Sequence, residues 1–336
     1  MKISASIFSD SENDIVTTLE NLNTNHVDMV HLDCLDNLDV FKDIETIKQN
    51  SSLPIDLHII TDNAQKFYPQ LETSEVDYVA FQYENLVDKK LKVPKPNNMK
   101  IGLAITSETD VAVFEDYKDD FDFVLLMATN PGKSGGTFDK VNFQKIRSFR
   151  RRYPDKKIHI DGGVNGEVSF ILRNMGVFSA VSGSYLFNSS TISSAILNLK
   201  LNEIESHFLV KDFMLDLDES PTIKVNDLTL ENVILSLNKG KLGFTIVNDE
   251  TGKFKGIIGN ADLRNGLLNH IDSLHSMDMM NLVNQDPLKV YENFSVNDLL
   301  KYIKDQTRPV MYLPVINDNN ETVGSVHFLN LIKGEL

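Results

Sequence analysis

A single cysteine, Cys34, stands among 336 residues and can close no internal disulfide. A secreted fold stapled by disulfides is thereby excluded, and a reducing compartment fits. No apolar run approaches the ~18 residues of a membrane span, so no membrane partner is expected. The opening Met1-Lys2-Ile3-Ser4-Ala5-Ser6-Ile7-Phe8 is strand-like and gives way to polar residues. It lacks the long apolar stretch and small-residue cleavage site of an export signal. Together these absences make the cytoplasm the expected location. Positive charge is scarce too: 33 Lys and Arg stand against 48 Asp and Glu, a formal net charge of −15. Such a surface repels phosphate backbones, so no nucleic-acid partner is expected, and the acidity is read as solubility. A local basic cluster at Arg147, Arg150, Arg151 and Arg152 lies on a predicted helix and is read as a solvated face.

What is present is ordinary globular material. The chain is 41% hydrophobic and 24% charged, enough for a sizeable core. Its length suggests two domains. Residues 1–205 alternate between strand and helix patterns. Strands are predicted near 2–8, 27–33, 54–60, 76–82, 99–105, 122–128, 157–161 and 178–182. Ile15, Leu19 and Leu22 mark the first amphipathic helix; Phe143, Ile146 and Phe149 mark a later one. Pro94 and Pro96 shorten the helix expected after the fourth strand. Eight such units in succession predict a closed (β/α)8 TIM barrel rather than an open sheet.

The active site of such a barrel lies at the C-terminal ends of its strands. Strand 1 brings Ser6 there, strand 2 brings His31 and Asp33, strand 3 His58, strand 6 Met127 and strand 7 Asp161. His31 and Asp33 are two residues apart, so they share one side of their strand. By themselves they read first as a hydrogen-bonded pair capping the strand, and His58 alone as a satisfied barrel histidine. Converging on one rim, two His and two Asp are a donor set for a divalent metal. Glycine-containing turns follow strands 6, 7 and 8: Asn130-Pro131-Gly132-Lys133-Ser134-Gly135-Gly136, Asp161-Gly162-Gly163 and Ser182-Gly183-Ser184. Glycines there allow backbone N–H groups close to a phosphate. Lys133 reads as either a phosphate contact or an exposed side chain. His159 is read as a buried, hydrogen-bonded structural residue one layer below Asp161, and Cys34 as structural.

In this order, the pieces Ala5-Ser6-Ile7, His31-Leu32-Asp33-Cys34-Leu35-Asp36, Asp56-Leu57-His58, Asn130-Pro131-Gly132 with Gly135, Asp161-Gly162-Gly163-Val164 and Ser182-Gly183-Ser184 resemble the ribulose-phosphate 3-epimerase family. The resemblance covers the whole barrel. It implies a ribulose-phosphate-binding barrel that inverts C3 of a ketose phosphate, D-ribulose 5-phosphate to D-xylulose 5-phosphate, through a metal-stabilised enediolate. By that resemblance His31, Asp33, His58 and Asp161 hold the metal, and Asp33 and Asp161 exchange protons from opposite faces. Ser6 and His58 meet the substrate and Met127 packs on the flat intermediate. Gly135, Gly136, Gly163, Gly183 and Ser184 face the phosphate. Zinc suits the donor set, with iron, manganese or cobalt as alternatives. The walls depart from the family. Leu35 and Ile60 replace methionines, Gln82 replaces a histidine, and Asn37-Leu38-Asp39-Val40 stands where the family carries a Phe-Val-Pro-Asn stretch. Lys133, Ser134 and Gly136 also differ. These changes keep two alternatives open: another ketose phosphate of surface-sugar biosynthesis as substrate, or a catalytically silent sugar-phosphate sensor.

Residues 206–336 carry an internal repeat of roughly 65–68 residues. Gly243-Phe244-Thr245-Ile246-Val247 and Gly256-Ile257-Ile258-Gly259-Asn260-Ala261-Asp262 in the first copy answer to Leu313-Pro314-Val315-Ile316 and Gly324-Ser325-Val326-His327-Phe328-Leu329-Asn330 in the second. The pattern resembles a pair of CBS domains, a small α+β module, and most of all the pair attached to arabinose-5-phosphate isomerases. The resemblance implies either a nucleotide or nucleotide-sugar effector or a dimerising role, and a homo-oligomer is expected. Asp262 is the candidate ligand residue. Gly259 stands where nucleotide-binding members carry a hydroxyl, and His327 and Asn330 form the second set.

Overall fold

The computed structural model describes residues 1–96, 98–129, 131, 135–200, 208–274, 277–306 and 310–327. The described residues fall into two compact units, one within 1–204 and one within 205–333.

The first unit is a closed barrel of eight parallel strands in sequence order: β1 Lys2–Ser6, β2 Met29–Leu35, β3 Ile55–Ile60, β4 Tyr78–Gln82, β5 Lys100–Thr106, β6 Phe123–Met127, β7 Lys157–Asp161 and β8 Ser179–Ser182. Its helices are α1 Ile15–Thr24, α2 Val40–Asn50, α3 Tyr68–Thr73, α4 Val141–Arg152, α5 Gly166–Asn174, α6 Ser184–Phe187 and α7 Ile192–Lys200. The strands form because β-branched and large apolar residues run through them, buried against both the barrel interior and the helices. Leu19 and Leu22 of α1, and Phe143, Ile146 and Phe149 of α4, are buried as their spacing requires.

The predicted strands match in number and order, with local shifts. Strand β1 stops at Ser6, where Ile7–Ser9 turns into a 3-10 segment. Strand β2 runs on to Leu35, so Cys34 is a buried strand residue whose thiol donates to Asn37 O at 3.2 Å. The short helix expected after the fourth strand is absent among the described residues. Only a 3-10 turn, Tyr83–Asn85, lies between β4 and β5. Pro94 and Pro96 remove two amide donors from the segment and disfavour helix at the residues before them.

The basic cluster is not uniformly solvated. Arg150 crosses from α4 to the end of α5, where its guanidinium donates to Met175 O and, at 3.0 Å, to Gly176 O. The carbonyls left unpaired by the last turn of a helix attract such a cation.

Register fixes which side chains meet inside the barrel. His31 lies beside Ser6 on one side and Asp56 on the other, Asp33 beside His58, and Met127 beside Asp161. All of these share the inward parity of their strands.

The second unit contains α8 Val210–Phe213, β9 Leu215–Asp216, β10 Thr222–Lys224, α9 Leu230–Gly240, β11 Phe244–Asn248, β12 Phe254–Gly259, α10 Asn260–Asn269, β13 Val290–Tyr291, α11 Val296–Lys304, β14 Tyr312–Ile316 and β15 Thr322–His327. The sheets have the orders β10-β11-β12 and β13-β14-β15-β9. The repeat is visible in the pairing. Phe244 faces Gly259 as Tyr312 faces His327, an offset of 68 residues, and both hairpins shift register at the matching step, Val247/Asn248 and Val315/Ile316. The copies meet at equivalent positions: Lys253 bridges Glu321, and the Phe244 and Tyr312 rings stack at 3.9 Å and 3°. Asn330 lies outside the described residues.

Candidate active site

Four side chains from three strands gather at the C-terminal rim of the barrel. One ligand atom each from His31, Asp33, His58 and Asp161 can be chosen so that all lie within 4.8 Å of one another. His58 Nδ1 is 3.0 Å from Asp33 Oδ1; His31 Nε2 is 3.5 Å from Asp33 Oδ1 and 3.7 Å from Asp161 Oδ2. Atoms bound ~2.1 Å from one ion in tetrahedral array would stand ~3.4 Å apart, so the spacing suits a shared cation. The donor set is tested further by His31. Its Nδ1 is paired with Asp56 Oδ2 at 3.1 Å, which leaves Nε2 buried, without a hydrogen-bond partner, between two carboxylates. An orphaned imidazole nitrogen there fits a metal ligand, oriented by the carboxylate behind it. Asp56 is fixed in turn by Ser4 Oγ at 3.1 Å.

The electrostatics agree. Burial opposes charge on His31, yet the carboxylates of Asp56 and Asp33 outweigh it and lift the imidazole well above its usual pKa. The cluster therefore demands positive charge, which either a proton or a cation can supply. Burial works against ionisation of Asp33 as well, but the adjacent imidazoles of His31 and His58 prevail and hold it far below the usual carboxylate range. Asp161 goes the other way. Burial, reinforced by the charges of Asp33 and Asp56, pushes it up to about 6 against the pull of His31 and His58. Two nearby carboxylates are thus held at different affinities for a proton.

Above the cluster opens a cleft of about 460 Å³. Ser6, Asp33, Met127, Gly135, Gly136, Asp161, Gly163, Gly183 and Ser184 all line it, while His31 and His58 are fully buried beneath. Backbone conformation explains the glycine pair after β7. Gly162 and Gly163 have φ of +108° and +65°, and a Cβ on Gly163 would stand 2.2 Å from the Phe138 nitrogen. Asn130, Gly132, Lys133 and Ser134 lie outside the described residues.

Sequence reasoning missed several wall residues, among them Ser9, Thr129, Asn165 and Tyr185. Ser9 ends a 3-10 segment, Thr129 and Asn165 lie in loops and Tyr185 in the short α6, where no strand parity marks which side chains face inward. Gln82 and Glu84 were also unassigned, although Gln82 has inward parity at the end of β4; its Oε1 lies 2.8 Å from His58 Nε2. His159 corrects an expectation. It is buried, but neither ring nitrogen has a hydrogen-bond partner among the described residues. The ring instead stacks on Phe123 at 4.1 Å and Phe178 at 5.3 Å, and burial pushes its pKa down to about 4. In the second unit Asp262 Oδ2 accepts from Gly259 N at 2.8 Å, capping α10.

Comparison with known proteins agrees with this geometry. A model of the ribulose-phosphate 3 epimerase family matches residues 2–187, and one of the CBS domain matches residues 279–335. The ribulose-phosphate 3-epimerase of Buchnera aphidicola is 31% identical over 180 residues, covering 48% of this chain and 78% of that protein. That of Bacillus subtilis is 26% identical over 213 residues, covering 60% and 98%. Among solved structures, CbpB in complex with c-di-AMP (18% identity, TM-score 0.32) covers 38% of this chain and 84% of its own. The CBS-pair protein CBSX2 from Arabidopsis thaliana (18%, TM-score 0.32) covers 38% and 94%. Barrel and matches together define an enzyme of the isomerase class. More narrowly, the chain belongs to the ribulose-phosphate 3-epimerase family, and carries a CBS domain toward its C-terminus. No helix among the described residues is long and apolar enough to cross a membrane.

Proposed function

We propose that the barrel interconverts D-ribulose 5-phosphate and D-xylulose 5-phosphate by inverting C3. The observation that carries this reading is the pair Asp33 and Asp161, on strands β2 and β7, both lining the cleft beside a cluster of four side chains that could hold a metal ion. Their side chains are 25% and 15% exposed, enough to reach a substrate in the cleft. His31, Asp33, His58 and Asp161 would hold one divalent ion, zinc by donor type, with iron, manganese or cobalt as alternatives. When bound, it supplies a positive charge that stabilises the developing negative charge on substrate oxygens. Asp33, ionised, takes the C3 proton from one face. Asp161, on the other side of the cleft, returns one to the opposite face. Ser6 would hydrogen-bond the sugar, Met127 would cover its planar form and exclude water, and backbone N–H groups at Gly135, Gly136, Gly163, Gly183 and Ser184 would meet the phosphate.

We further read the boundary near residue 205 as a domain junction. The second unit is a regulatory or dimerising module in a homo-oligomer, with Asp262 as the residue to meet a nucleotide or nucleotide-sugar effector.

The test is incorporation of solvent deuterium at C3 across a panel of ketose phosphates, with the ribulose and xylulose 5-phosphates first. Asp161→Asn should lower turnover ~10²- to 10⁴-fold while leaving the melting temperature near that of the parent. Exchange confined to another ketose phosphate would reassign the substrate, a reading favoured by Leu35, which lines the cleft where the family carries methionine. Exchange into none of them would leave a sugar-phosphate sensor.

A further inference from the structure

Both ring nitrogens of His58 are engaged. Nδ1 faces Asp33 Oδ1 at 3.0 Å, and Nε2 faces Gln82 Oε1 at 2.8 Å. Gln82 is fully buried at the end of β4. Its amide nitrogen donates to Glu84 Oε2 and reaches Ala104 O at 3.4 Å. Glu84 Oε1 accepts from Thr106 N at 2.9 Å, from Thr106 Oγ1 at 3.2 Å and from Thr109 Oγ1. Burial raises the Glu84 pKa, but these bonds and the one from Gln82 outweigh it and keep the carboxyl ionised below its usual range. Lys145 secures the loop that bears the threonines by donating to Thr106 O and, at 2.6 Å, to Thr109 O.

The chemistry leaves one consistent assignment. An ionised carboxylate only accepts, so Gln82 turns its NH2 to Glu84 and its carbonyl to His58. A carbonyl also only accepts, so His58 carries a proton on Nε2, while Nδ1 donates to Asp33 until a cation takes that proton's place. His31 is set by the same logic in the opposite sense, with Asp56 accepting at Nδ1 and Nε2 left to the cluster.

We infer that Gln82 and Glu84 are positioning residues: as a relay of one acceptor and one donor, they hold His58 in its Nε2–H form and aim Nδ1 at the cation site. This rests on reading the four-residue cluster as that site. Histidine could replace Gln82 in the relay because an imidazole also offers one acceptor and one donor. Glutamate could not, because it would face Glu84 with a second carboxylate.

Two measurements test the relay. Nitrogen NMR of ¹⁵N-histidine-labelled, cation-free protein reports whether His58 Nε2 carries a proton. Titration with Co²⁺, followed by its visible absorption and by chelator competition, reports affinity. Gln82→Leu should lose the Nε2–H signature and weaken Co²⁺ binding ~10- to 100-fold, the usual cost of removing a ligand's outer partner. Gln82→Glu should weaken it similarly. Gln82→His, and Gln82→Glu combined with Glu84→Gln, should restore both signals, because each re-creates an acceptor toward His58 and a matched donor behind it. A packing role would leave the double variant no better than Gln82→Glu alone. The proposal is overturned if Gln82→Leu keeps the Nε2 proton and binds Co²⁺ within threefold of the parent, or if neither restoring variant recovers. Should Gln82→Leu fail to fold, the comparison of Gln82→Glu with the double variant decides. A parent that binds no divalent cation would refute the cluster as a metal site, whereas the Nε2 proton of His58 in cation-free protein still decides the relay.

Discussion

His159 and Asp161 are two residues apart on β7, and burial acts on each in the direction that disfavours its charge. For Asp161 the outcome is a carboxyl pushed up to about 6; for His159 it is a neutral ring between aromatic neighbours. The His159 pKa is about 4 in the folded protein against the ordinary 6.5. Between those values the unfolded chain binds a proton that the native ring does not, so stability rises with pH through this window and is lost as pH falls from 6.5 toward 4. At ~1.4 kcal/mol per unit the loss is roughly 3 kcal/mol. His159→Leu should therefore flatten the acid side of the stability curve by about that amount. Urea unfolding of parent and variant at pH 7 and pH 4.5 checks this; parallel losses in both would refute it. Residue parity placed His159 inside the barrel correctly. It could not show that the surrounding layer is aromatic, because Tyr78, Phe123 and Phe178 come from other segments of the chain.

Helices and loops show where local sequence stops being enough. The arginines of α4 look alike in sequence, but only tertiary contact distinguishes Arg150, which reaches the carbonyls of Met175 and Gly176. Arg152 instead pairs with Glu115 at 3.3 Å, where both side chains are exposed. Arg150→Ala should destabilise the protein by ~1–3 kcal/mol, since charged hydrogen bonds at partly buried carbonyls are lost. Arg152→Ala should cost at most ~1 kcal/mol, as exposed ion pairs do. Equal midpoints in denaturant for the two variants would contradict the assignment. The glycine turns were legible for a different reason. Gly162 and Gly163 need left-handed backbone, and the residue type itself announces that need.

The described residues fall into two units, each with buried apolar side chains of its own. Phe81, Leu103 and Ile160 are buried within the barrel, and Val233, Val247 and Ile258 cluster in the second unit. A chain ending at residue 204 should therefore melt cooperatively and keep C3 proton exchange within about threefold of the full-length rate. Loss of cooperative melting in the truncated chain would show that the barrel depends on residues beyond 204. Sequence alone determined the eight-strand barrel, the repeat in the second unit and the four residues of the cluster. Each follows from a local regularity: strand parity, spacing of apolar residues, or a glycine that only one backbone geometry requires. Tertiary structure alone decided what stands behind those residues, including the Gln82–Glu84 relay, the stacking of His159 and the reach of Arg150. Such contacts join side chains from segments distant in the chain. Their hydrogen bonds depend on barrel closure and side-chain direction, which no local pattern records.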